Sequence, residues 1–160
     1  MAAISPLVQR SRSRLTELPE DIWLDPYIVG FVVMLITLIA KRNAGPLDTQ
    51  ALGLVQCEAW SQITGTDAAL LGEQVIHLSI GGDQAFTLGC QNAIAFDRSL
   101  QGFPPVGADG QEGLHYALGE RTSFLEWPHG GQDQLAENCH SLALWGEYFD
   151  RRLTSTAAIE

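Results

Sequence analysis

DPYIVGFVVMLITLIAKR, residues 25–42, sets an almost unbroken apolar run inside a chain that is otherwise polar and acidic. Three readings compete for it: a membrane span, the core of a domain, and a contact with a partner. From Tyr27 to Ala40 the run counts fourteen residues, softened only by Gly30 and Thr37. As a helix that is about 21 Å, short of the roughly 30 Å of a bilayer core. Extension backwards through Ile22, Trp23 and Leu24 meets Asp25-Pro26, an N-cap residue followed by proline at the first helical position. At the other end Lys41 and Arg42 suit the negative pole of the helix dipole, Asn43 or Gly45 can take a left-handed cap, and Pro46 blocks continuation. The stretch therefore reads as a capped helix over about residues 26–42, apolar on all sides and surrounded by protein. A missing side chain at Gly30 permits close approach of another helix, from the same chain or from a second copy.

The remainder of the composition frames that helix. A chain of 160 residues, 46% hydrophobic and 18% charged, is the size of one domain and too apolar for intrinsic disorder. Its three cysteines, Cys57, Cys90 and Cys139, form neither a disulfide framework nor a zinc knuckle by spacing, which fits a reducing cytoplasmic setting. The net charge of -10 is uneven: residues 43–150 hold fourteen carboxylates against two bases, Arg98 and Arg121. Such a body repels phosphate backbones, so nucleic acid is not an expected partner. Arginines follow, rather than precede, the small apolar patch of MAAISPLVQRSRSR, the reverse of a signal peptide, and no export is implied.

Along the chain, residues 1–20 show little periodicity and are expected to be a flexible or loosely docked arm. A helical domain follows over 21–153, and 154–160 form a flexible tail. Leu52, Val55, Ala59 and Ile63 make one stripe, with Gln56, Ser61 and Gln62 turned away, and Trp60 widening the apolar face. Thr66 can cap a further helix through Leu71, Val75 and Leu78 that ends at Gly81-Gly82, and Asp83 can cap the next, with Phe86, Gly89, Ala93, Phe96 and Leu100 in step. The alternation of Ile76, Leu78 and Ile80 around Gly81-Gly82 also describes a β-hairpin, but alanines and leucines on both sides favour helices. Residues 101–131 carry seven glycines and three prolines, a long loop within which GLHYALGERTSFLEW is apolar enough to dock on the core. A last helix is written by Leu135, Cys139, Leu142, Trp145, Phe149 and Leu153. The expected fold is an all-α single-domain bundle of about five helices around a central apolar helix.

No catalytic constellation is complete. His77-Leu78-Ser79-Ile80-Gly81 approximates a nucleophile elbow, but histidine stands where a small residue must tighten the turn. The His129-Gly130-Gly131 that would serve as oxyanion loop follows the serine instead of preceding it. Glu137 and His140, three apart on the last helix, have the geometry of di-iron bundle ligands. Glu73 and His77 could add a second face and Glu58 a bridge, yet a glutamate from a further helix is lacking. Cys139 and His140 point about 100° apart and cannot pair, and Cys90 lies in an alanine-rich stretch that suits an inert core thiol. Trp23, Trp60, Trp127 and Trp145 each stand where a core or its edge would use them. The expectation is a protein without catalysis or cofactor, acting by homodimerisation or by binding another protein, with Tyr27, Gly30, Phe31 and Met34 as the first surface. A transition-metal enzyme using Glu73, His77, Glu137 and His140, or a bundle that binds a small ligand, is the alternative.

Overall fold

The computed structural model describes residues 4–14, 20–101 and 141–157. Six helical segments occur among these residues: α1 Ser5–Arg14, α2 Pro26–Ala44, α3 Thr49–Thr64, α4 Ala68–Gly81, α5 Gln84–Leu100 and α6, residues 141–157. A 3₁₀ turn, Glu20–Leu24, leads into α2, and α6 contains a π-helical turn at Gly146–Asp150. No strand occurs among the described residues, and the 75–88 region is helix, turn, helix.

One aspartate starts each of the four central helices. The Asp25 carboxylate accepts from the backbone N–H groups of Tyr27 and Ile28 at 2.9 and 3.2 Å. Asp48 accepts from Ala51, Asp67 from Ala69 and Asp83 from Phe86. Each satisfies an amide that helix formation orphans, a contribution of about 1 kcal/mol. The cap of α4 is thus Asp67 rather than Thr66, whose amide donates to Thr64 Oγ1 instead. Left-handed glycines, Gly65 at φ 78° and Gly82 at φ 61°, end α3 and α4.

Helix α2 is the centre of the bundle, with every residue from Tyr27 to Val33 buried, followed by Leu35, Ile36 and Thr37. It runs on to Ala44, two residues beyond the expected stop, and Gly45 closes it by donating to the Lys41 carbonyl at 3.0 Å. Among the described residues it is the one helix long and apolar enough to cross a membrane, and half of that apolar window is buried inside the protein. Its closest neighbour is α5. A Cβ on Gly30 would collide with the Phe86 carbonyl, and one on Gly89 with the Tyr27 carbonyl, so two glycines facing each other's helix set the crossing distance. Phe31 then lies among the rings of Phe96, Trp145 and Phe149, with centroids 5.7–6.0 Å away.

The N-terminal segment differs from the expected arm. Residues 5–14 are helical, and Ile4, Val8 and Ser11 are buried. Trp145 Nε1 donates to Ser11 Oγ at 2.9 Å, Ser11 Oγ donates to Asp150 at 2.5 Å, and Arg14 pairs with Asp150 at 3.1 Å. The π turn of α6 brings Asp150 to this network, and the helix persists to Ala157 where a tail from 154 was expected. Residues 102–131 of the expected loop and the first part of the last-helix stripe, Leu135 and Cys139, lie outside the described residues.

Candidate functional site

The four residues expected as a contact surface are engaged within the chain. Tyr27 and Phe31 are buried, Gly30 is pressed against α5, and Met34 is half-buried against the core. Tyr27 Oη donates to the Tyr148 carbonyl at 2.7 Å and accepts from Asn92 Nδ2 at 2.9 Å. Burial raises its ionisation above the ordinary tyrosine value, an effect the Asn92 hydrogen bond and the Arg152 charge partly oppose. The close approach that Gly30 allows is made to a helix of its own fold.

The expected ligand set is divided. Glu137 and His140 lie outside the described residues, while Glu73 and His77 are exposed on α4 and Glu58 is exposed on α3, where it accepts from Gln62. Among the described residues no three His, Cys, Asp or Glu side chains gather to hold a metal ion. Ser79 is an ordinary helical residue of α4: its hydroxyl donates to the Val75 carbonyl at 2.6 Å, so no elbow forms there. His129-Gly130-Gly131 lies outside the described residues. Cys90 is half-buried with its thiol directed at the Gly30 carbonyl, 3.5 Å away, and burial pushes the thiol up to about 11. That suppresses the thiolate a nucleophile needs.

What stands out instead is α4. It buries only Leu71 and Leu78, with Val75 partly covered between them. That narrow seam holds α4 against α2 and α3. The opposite face carries Leu70 at 51% exposure, Ile76 at 62% and Ile80 at 84%, with Glu73 and His77 on the same side. Leu54 on α3 and Leu88 on α5 are also exposed. Scattered surface leucines are ordinary, but three large aliphatic side chains on one face of a single fourteen-residue helix form a patch of the kind that marks contacts. The sequence carried this signal, since the residues that form the inward stripe of α4 account for only part of its apolar content.

No family model, no curated protein and no solved structure matches this chain.

Proposed function

We propose that this chain is a non-catalytic, soluble helical protein that acts by protein–protein contact, and that the outward face of α4 makes the contact. The observation that carries this reading is the exposure of Leu70, Ile76 and Ile80 along one face of a helix whose core-facing side is already satisfied by Leu71, Val75 and Leu78. The burial of α2 supports a soluble protein, because the apolar run that would anchor a membrane protein is spent on the core. The acidic charge of -10 keeps the rest of the surface dispersed and leaves α4 as an apolar exception. Glu73 and His77 have a place in this reading as the polar members of the contact face.

The test is the mass in solution of wild-type protein and of Ile76→Asp/Ile80→Asp, by light scattering in detergent-free buffer. Both positions are exposed, so the variant keeps its helix content. Loss of an associated species in the variant, with unchanged far-UV circular dichroism, supports the assignment. An associated species indifferent to these substitutions refutes it.

A further inference from the structure

We infer that the occupant of the α4 face is a second copy of the same helix, antiparallel, with Glu73 of each chain opposite His77 of the other. The inference rests on the reading of α4 as a contact surface and adds the partner and the register. Leu70, Glu73, His77 and Ile80 follow one another at steps of three, four and three, the spacing of the a, d, a, d positions of a coiled-coil seam, aliphatic here at its two ends and polar at its middle, and Ile76 flanks it. All five are exposed.

The order of the four residues is what selects the arrangement. In an antiparallel pair each a residue meets a d residue of the other helix. A two-fold axis at the level of Val75 therefore sets Leu70 against Ile80 and Glu73 against His77, and each pairing occurs twice by symmetry. The outer layers of the seam are aliphatic on aliphatic. In the middle layers a carboxylate meets an imidazole, complementary whether the ring donates an N–H as the neutral base or carries a charge. A parallel pair in the same register would instead put Glu73 on Glu73, a like-charge contact at the centre. Polar residues at such seam positions fix register and orientation at a cost in affinity, which suits a weak, reversible dimer.

Three variants test this: Glu73→Lys, His77→Glu, and the exchange Glu73→Lys/His77→Glu. Their dimer dissociation constants are measured beside the wild type by sedimentation equilibrium. Each single change opposes like or mismatched charges twice, and the constant rises at least about tenfold. The exchange restores an opposite pair at both places and returns the constant to within about threefold of wild type. A dimer abolished by Ile80→Asp but insensitive to the charge variants overturns the register while leaving α4 as the contact surface. A dimer that Ile80→Asp leaves intact overturns both. Wild-type protein that stays at 17.4 kDa at every concentration overturns the self-pairing and assigns the face to a different protein or to another part of the chain.

Discussion

Gly30 shows how far a single residue can be read from sequence. Its presence in an apolar helix announces a close approach, and the structure supplies the neighbour: the carbonyl of Phe86, reciprocated by Gly89 on the carbonyl of Tyr27. The partner helix was not legible, because a glycine specifies a distance and not an identity. Gly30→Ala should cost about 2–3 kcal/mol, since the obstructing atom is backbone and cannot rotate aside. Gly53→Ala, in a helix where nothing lies within 4 Å of the added methyl, should stabilise by about 0.5–1 kcal/mol. Urea midpoints of the two variants separate these signs. Cys90 and Tyr27 both hold their protons more tightly in the fold than in the open chain. Each is neutral when protonated, so the unfolded chain ionises first as pH rises. Stability from this source is complete below about pH 9 and is lost as pH climbs through the raised folded values, near 11 for Cys90. A urea midpoint unchanged between pH 8 and pH 11 would contradict that linkage. At pH 8 native Cys90 should resist iodoacetamide, with about a thousandth of it as thiolate, and should react once urea unfolds the chain.

Helices α2 to α5 were legible because their ends are spelled out: an aspartate at each start, and a glycine at the stop of α2, α3 and α4. Asp25, Asp83 and Gly82 perform the roles their types suggest. Helix α1 was missed for a physical reason. Its inward positions 4, 7, 8 and 11 are correctly spaced, but the last is Ser11, buried by hydrogen bonds to Trp145 and Asp150 from residues more than 130 positions away. A polar group satisfied at long range leaves no local trace. Gln56 repeats the lesson: it reads as outward, yet its amide donates to Thr37 Oγ1 on α2 at 2.8 Å. The end of α2 is tied to α5 by Arg42, whose guanidinium meets both oxygens of the buried Asp97 carboxylate at 2.5 and 2.6 Å, with Gln101 donating a further hydrogen bond at 2.6 Å. Arg42→Ala leaves Asp97 short of its cation and should cost roughly 2–3 kcal/mol. Arg42→Ala/Asp97→Ala should lose less than the sum of the two single changes, because the second removes the stranded charge. Additive losses in chemical denaturation would show that the two residues act independently.

Across the molecule, apolar content is divided between an inside and an outside helix. α2 supplies the centre against which α3, α4 and α5 pack, and its glycine lets α5 press against it; α4 contributes a thin inward seam of Leu71, Val75 and Leu78 and shows water Leu70, Ile76 and Ile80. Part of the acidic composition that separates these roles is structural, since four of the nineteen carboxylates are helix N-caps. The fold class and the central helix were readable from periodicity and caps. The sequence points to the most apolar helix as the contact surface, whereas the structure spends that helix on the core. Amide hydrogen exchange at low and high protein concentration, read by mass spectrometry, tests this division in one measurement. Peptides from α2 should be strongly protected at both concentrations, and peptides from α4 should gain protection only as concentration rises. Concentration-dependent protection in α2, with α4 unchanged, would contradict the account by returning the contact to residues 26–44 and leaving the α4 face without a partner copy.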